Sequence, residues 1–302
     1  MGTINPRVDI AFKKIFGVEE NKDLLISLIN SIVGEEDQVT EVTLLNPYNP
    51  QNFKSDKLSI LDIKAKGVDG KRFNIEIQIS DEADYDKRAL YYWAKLYTEQ
   101  LQESEDYSTL SKAIGIHLLN FTSIPDVKAY HNVFHIREQK SGIVYFKDLE
   151  LHTIELKKFS RNAKEDLAEI IEKVKTSLDM WMAFLTRHDL LDRRNLPQEL
   201  NSSSLKKALT VLEVMNFSSE EREAYEGHLK WLRIEANTLK KYENKGREEG
   251  RKEGRKEGRK EGENLEKIKI AKNMLAKKYD IAIIVELTGL SLEEINQLRR
   301  KG

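Results

Sequence analysis

The chain has no cysteine among its 302 residues, which excludes both disulfides and thiolate metal sites. It holds six histidines, and none falls at the H-E-x-x-H spacing that gathers zinc on one helix face. No apolar run approaches membrane length and no leader pattern opens the chain, so a soluble, cytoplasmic protein without a membrane partner is expected. A basic excess is missing as well. The net charge is −1 overall, −5 over residues 1–160 and +5 over residues 241–302. Dedicated DNA-binding domains are usually basic, because phosphate neutralisation dominates their affinity. The acidic N-terminal part therefore speaks against nonspecific DNA binding, and an acidic metal site would explain part of the excess.

What is present is 39% apolar and 33% charged residues, enough for two small domains or one with solvated helical appendages. Apolar residues at helical spacing predict two helices within residues 8–33, with Gly17, Asn21 and Gly34 as punctuation. Val39–Leu44 reads as a short strand ending at Asn46-Pro47. In the stretch from Leu58 to Ile79, Leu61, Ile63 and Ala65 alternate with Asp62, Lys64 and Lys66. After Gly67-Val68-Asp69-Gly70, Phe73, Ile75, Ile77 and Ile79 alternate with Asn74, Glu76 and Gln78. Two period-2 runs across a Gly/Asp turn form a hairpin. A turn centred on Asp69 makes Asp62 and Glu76 direct cross-strand partners, roughly 5 Å apart at Cβ.

Such a pair suits phosphodiester hydrolysis. Hard cations such as Mg²⁺ are held by carboxylate and carbonyl oxygens, often through only one or two carboxylates. The backbone carbonyl of Ile77 offers a further oxygen, and alternation returns Gln78 to the face of Glu76, where it would position water or phosphate. The competing reading is a wet hairpin face, with Lys64 satisfying Asp62 as a surface ion pair.

Further on, a helix is expected from Asp84, with Leu90, Ala94, Tyr97 and Leu101 on one stripe. Ala113–Leu119 reads as a buried strand, two more strands lie within Asn132–Arg137 and Leu151–Glu155, and residues 164–240 look helical with a break at Asn201–Ser204. Gly246 to Gly262 repeats Gly-Arg-Lys-Glu. Glycine every fourth residue costs roughly 1 kcal/mol each in a helix interior, so this segment is expected to be a spacer or a helix stabilised by a partner. Leu265–Tyr279, Ile281–Leu287 and Leu292–Leu298 pattern as three short helices around Thr288-Gly289-Leu290-Ser291, in helix–turn–helix style. Glu293-Glu294 opens the last helix, where a recognition helix would meet phosphates, so docking of a protein partner is the favoured reading.

The pattern Asp62…Glu76-Ile77-Gln78 resembles the D…E-x-Q core of PD-(D/E)XK nucleases. More narrowly, the chain resembles the Rpn recombination-promoting nucleases, or putative transposases. The matching pieces are Asp9-x-x-Phe12-Lys13-x-x-Phe16-Gly17, Leu61-Asp62-Ile63-Lys64, Asn74–Gln78 and Arg88-x-x-Tyr91-Tyr92-x-x-x-Leu96-Tyr97-x-x-Gln100-Leu101. Leu151-x-x-x-Ile154-Glu155-Leu156-x-Lys158-Phe159 and the Gly-Arg-Lys-Glu tail follow. The resemblance implies an α/β restriction-endonuclease-like core with a mixed sheet at 1–160. A helical extension at 161–240, the repeat as linker or helix at 241–264 and a small helical domain at 265–302 complete the expected organisation.

Membership implies a Mg²⁺- or Mn²⁺-dependent DNA endonuclease linked to recombination, with no small-molecule cofactor. Asp62 and Glu76 would hold the metal, Gln78 would position water or phosphate, and Asp9 would assist. Gln78 stands where lysine is commonest in the superfamily, which makes Lys13 or Lys64 the candidate replacement cation. Asp9 and Lys13 are equally readable as an exposed i,i+4 helix pair. Gln100 is a candidate for the active-site face, Tyr97 is read as core, and His117 as a satisfied core or edge histidine without a role. Homo-oligomerisation through the C-terminal tail is a further expectation. The rival is a catalytically degenerate nuclease fold that serves as a DNA- or protein-binding assembly module.

Overall fold

A computed structural model describes residues 4–47, 62–81, 84–160, 164–213 and 217–300. Leu58–Leu61, at the start of the predicted hairpin, lie outside the described residues. By compactness the chain forms two units, residues 1–229 and 230–302.

The first unit is built on a six-stranded mixed sheet. Its strands are β1 (Val42–Leu44), β2 (Asp62–Gly67), β3 (Arg72–Gln78), β4 (Ala113–Leu119), β5 (His131–Arg137) and β6 (Val144–Glu155), in spatial order β1-β2-β3-β4-β6-β5. The hairpin β2–β3 is antiparallel, with the predicted register: Asp62 opposes Glu76 and Lys64 opposes Asn74. β4 runs parallel to both β3 and β6. All seven of its residues are buried, as expected of a central parallel strand covered on both faces. The final hairpin is longer than predicted, because β6 begins at Val144 rather than near Leu151. Lys147, Asp148 and Glu150 interrupt the apolar alternation there, and Tyr145 and Phe146 are exposed, so that half of the strand carries no core-facing pattern.

On one face of the sheet lie α1 (Asp9–Phe16) and α2 (Lys22–Ile32), which follow the predicted apolar spacing. After the sheet come α4 (Leu156–Phe159), α5 (Leu167–Lys173), α6 (Ser177–Arg187) and α7 (Ser203–Val211). Their side chains join Ile63, Ile75, Ile116 and Ile154 in one core. Phe16 is its aromatic hinge, 4.9 Å from Phe12 and 5.2 Å edge-on to Trp181 between ring centroids. Thr176 and Asp179 form a capping box at α6, and Ser202 caps α7 within the predicted polar break.

The opposite face carries α3 (Tyr85–Thr98). Its buried stripe is Tyr85, Ala89 and Leu96, one residue away from the predicted stripe, and Leu90 is exposed. Trp93 sets this rotation, because its indole N–H donates to the Ala113 carbonyl at 2.7 Å. Gln100 does not turn toward the hairpin carboxylates. It clamps the backbone of Ser111, donating to its carbonyl at 2.9 Å and accepting from its N–H at 3.0 Å. Tyr97 is half-buried rather than core, stacked on Trp93 at 5.3 Å with its hydroxyl on Asp148.

Residues Ser219–Ala276 form one continuous helix, α8, which includes the glycine repeat and ends before Tyr279. A Cβ placed at Gly246, Gly250, Gly254, Gly258 or Gly262 would meet nothing within 4 Å. The second unit closes with α9 (Ile281–Thr288) and α10 (Leu292–Arg300) around Ala271, Ile284, Leu290 and Ile295. Gly289 ends α9 at φ +65°, the left-handed turn that glycine adopts without Cβ strain. Glu294 accepts from the Ser291 N–H and hydroxyl at 2.8 and 2.7 Å, so this acidic residue caps the last helix.

Glu155 and Lys158 lock the crossover before β5. Fully buried Glu155 accepts from the Ile124 N–H at 2.9 Å and pairs with Lys158 at 2.5 Å. Lys158 also donates to the carbonyls of Ile124 and Val127 at 2.8 and 2.6 Å. Lys158→Met is expected to strand a buried carboxylate and to cost about 3 kcal/mol or more in urea unfolding. A loss below about 1 kcal/mol, the range of an exposed pair, would show that the lock is dispensable.

Candidate active site

The hairpin register creates a row of polar side chains across adjacent strands. Asp62 opposes Glu76, Glu76 is the register partner of His117, and His117 is the partner of Thr153. In-register neighbours share a sheet face. Asp62 is half-exposed, whereas Glu76 is only 4% exposed and Gln78 is buried. The strand that reads as wet on one face is therefore covered on both, because α3 lies over it.

That helix also delivers a cation. The Arg88 guanidinium donates to Glu76 Oε1 at 3.0 Å and to Gln78 Oε1, while Gln78 Nε2 donates to the Ser80 carbonyl at 3.1 Å. Gln78 thus has both ends of its amide held. On the other side of the carboxylate, Glu76 Oε2 lies 3.8 Å from His117 Nδ1. Tyr85 packs edge-on against the imidazole, with centroids 5.8 Å apart. Burial, and then the Glu76 charge, raise the Tyr85 phenol far above its ordinary range, so it is a neutral hydroxyl throughout.

From the N-terminus, α1 brings Asp9 and Lys13 together at i,i+4. They are 5% and 3% exposed, which rules out the exposed-pair reading. Burial first, and the Glu76 charge next, push the Asp9 carboxyl up to about 7, with Lys13 opposing the shift. His228 of α8 stands 3.4 Å from Asp9 Oδ2. Burial pushes the Lys13 ammonium down to about 8, and the charges of Asp62 and Asp9 hold it partly up. Lys13 thus feels the fields of both carboxylates. Lys64, the other candidate cation, pairs with Glu99 at 3.2 Å and is not committed to Asp62.

The donor set is carboxylate oxygen from Asp9, Asp62 and Glu76, chemistry that suits a hard divalent cation. The Asp9 carboxyl is raised first by burial and then by the Glu76 charge, and a cation beside it offsets both. On both grounds the residues fit a divalent ion. Among the described residues no three carboxylate or imidazole groups stand close enough to share an ion as they are, so side-chain rotation would be needed to draw them in.

The roles of Arg88, Tyr85 and His228 beside these carboxylates are not readable from spacing. Arg88 lay within a matched motif, but only the packing of α3 on the sheet points it at Glu76. His228 is more than two hundred positions from Asp9, and no local pattern connects them.

A family model described as PD-(D/E)XK nuclease family transposase matches residues 6–242. A second, for the C-terminal HTH domain of the Rpn/YhgA-like nuclease family, matches residues 264–300. Neither the curated proteins nor the solved structures contain a match to the chain. No described helix is long and apolar enough to cross a membrane.

The buried titratable groups predict a pH dependence. Burial lowers His117, His131 and His188 to about 4; Arg88, His152 and Arg7 respectively are the next causes. Between pH 6.5 and 4 the unfolded chain binds protons at these sites that the folded chain excludes, so stability falls on acidification. Asp9 acts in the opposite sense, because its raised value favours the folded state most at low pH. Three imidazoles against one carboxyl leave a net loss of at least about 2 kcal/mol between pH 7 and 4.5. Urea melts at the two pH values measure it, and His188→Gln should flatten the slope; an unchanged slope would remove His188 from the explanation.

Proposed function

The chain belongs to the PD-(D/E)XK nuclease family of transposases, and from that premise we propose that it is a metal-dependent DNA endonuclease acting in recombination. The observation that carries the reading is the pairing of Asp62 with Glu76 on one sheet face, with Asp9 and Lys13 buried beside them. Asp62 and Glu76 would hold the ion, with Asp9 in its ionised form as a further oxygen donor. A bound Mg²⁺ or Mn²⁺ supplies Lewis-acid polarisation of a nonbridging phosphate oxygen and lowers the pKa of a water.

The protein's own groups do the remaining work. Gln78, clamped by Arg88 and by the Ser80 carbonyl, offers a fixed amide to orient water or the scissile phosphate. Lys13 takes the place of the lysine absent from position 78, because its ammonium lies in the field of Asp62 and Asp9. Its charge, held in a buried setting, opposes the negative charge that develops on the phosphate. Arg88 holds one oxygen of Glu76 and orients that carboxylate. The buried cation Lys13 speaks against the degenerate-fold reading, since a decayed site has no use for a charge that is costly to bury. For the C-terminal unit we favour protein docking over base reading, because its last helix opens with Glu293 and Glu294.

Purified protein should nick supercoiled plasmid with Mg²⁺ or Mn²⁺ and fail with EDTA. Asp62→Ala and Glu76→Ala should each lower the rate by roughly 10²-fold or more. No cleavage by the wild type with either metal would favour the assembly-module reading, and activity surviving in both variants would reject the assigned ligands. The rate should also climb with pH through about 7 as Asp9 ionises. Asp9→Asn should be slow at every pH; an unaltered profile in that variant would remove Asp9 from the site.

A further inference from the structure

His117 has two properties that a core histidine should not combine. It is 2% exposed, yet among the described residues neither ring nitrogen has a hydrogen-bond partner. Leaving a buried polar atom unsatisfied costs about 1–3 kcal/mol, and such groups in native folds usually mark an unseen ligand, water or ion. The surroundings give the ring room rather than an acceptor. A Cβ on Gly115, two residues earlier on the same face, would lie 2.7 Å from Leu151 Cδ2 and 3.1 Å from Nε2, so glycine there keeps space for both side chains. Tyr85 closes the other side edge-on, and the Thr153 hydroxyl, next in the row, is also buried without a hydrogen-bond partner.

The separation of His117 Nδ1 from Glu76 Oε2 is 3.8 Å, too long for a hydrogen bond. It matches the span across one ion, because metal–nitrogen and metal–oxygen bonds of about 2.0–2.2 Å each let a single cation join atoms up to about 4 Å apart. The row places Asp62 on the far side of Glu76, so oxygen and nitrogen donors flank the same carboxylate. We infer that His117 is a nitrogen ligand of the cation held by Glu76, a donor that Mg²⁺ takes poorly and that bound Mn²⁺ reports directly. This assignment rests on the metal-site reading above and adds to it a donor outside the Asp62, Glu76, Gln78 set. Imidazole favours the later first-row divalent metals, while Mg²⁺ prefers oxygen and water. It also replaces the role-free reading of His117: the residue is buried, but it is not satisfied.

The test uses the full chain with MnCl₂ alone. Pulsed electron paramagnetic resonance of bound Mn²⁺ should show ¹⁴N modulation from a directly bound imidazole. The modulation should vanish in His117→Gln and in His117→Asn, with circular dichroism checking that each variant folds. It should persist in His228→Gln, the control for the other imidazole near a carboxylate of the site. The Kd for Mn²⁺ should rise about 10-fold or more in His117→Gln, while that for Mg²⁺ changes far less. If both His117 variants unfold, the wild-type and His228→Gln spectra still decide. Loss of modulation in His228→Gln, or its survival in His117→Gln, overturns the assignment. Bound Mn²⁺ without ¹⁴N modulation, released by Asp62→Asn, overturns the His117 ligand and leaves the carboxylate site standing. No binding of Mn²⁺ at all overturns both.

Discussion

The register of three neighbouring strands is the constraint on which everything at the candidate site depends. β2 and β3 are held by a short Gly/Asp turn, and β3 is held to β4 by a parallel ladder. A slip of one residue in either ladder would move every side chain to the opposite face. Glu76 would then enter the apolar core beside Ile63 and Ile116, and Ile75 or Ile77 would take its place. The apolar residues on the other face, Ile63, Ile75, Ile116 and Ile154, are locked into the core with α1, α2 and α6. Hydrophobic burial on one side of the sheet thus aligns the polar row on the other, and that burial outweighs the repulsion of two opposed carboxylates, a fraction of a kcal/mol to about 1 kcal/mol.

Charge balance is supplied by helices rather than by the sheet. Lys13 arrives on α1 and Arg88 on α3, far apart in sequence and from separate layers of the fold. The strand position that would carry a cation has an amide instead, Gln78, and Arg88 binds that amide as well as Glu76. These two cations set positive charge beside the carboxylates of the cluster. Burial nevertheless pushes one carboxyl, Asp9, up to about 7. The acidic balance of the N-terminal part thus coexists with two cations, Lys13 and Arg88, set among its carboxylates.

Much of this was legible from local pattern. Alternation across Gly67–Gly70 located the hairpin, and the register expected for a turn centred on Asp69, rather than one shifted by a residue, is the one found. The run Ala113–Leu119, apolar except for His117, read as a buried strand. The errors share a cause. The stripe of α3 was displaced by one residue because Trp93 anchors the helix through a hydrogen bond to Ala113. Gln100 was drawn toward the site by its proximity in sequence, whereas the Ser111 backbone captures it. For Asp9 and Lys13 a site role and an exposed helix pair stayed equally open, because i,i+4 spacing carries no information about what lies above it.

The chain's order of residues by itself determined the element types, the hairpin register, the Asp62–Glu76 pairing and the family resemblance, all of which rest on spacings of a few residues. Only the tertiary structure decided which of the other polar residues meet them. Lys13 is in the field of Asp62, Arg88 on Glu76, His228 on Asp9 and His117 beside Glu76 because helices and strands distant in sequence pack on the same carboxylates. Periodicity states which face of an element a side chain occupies; what that face touches depends on layers brought together by burial of apolar surface elsewhere.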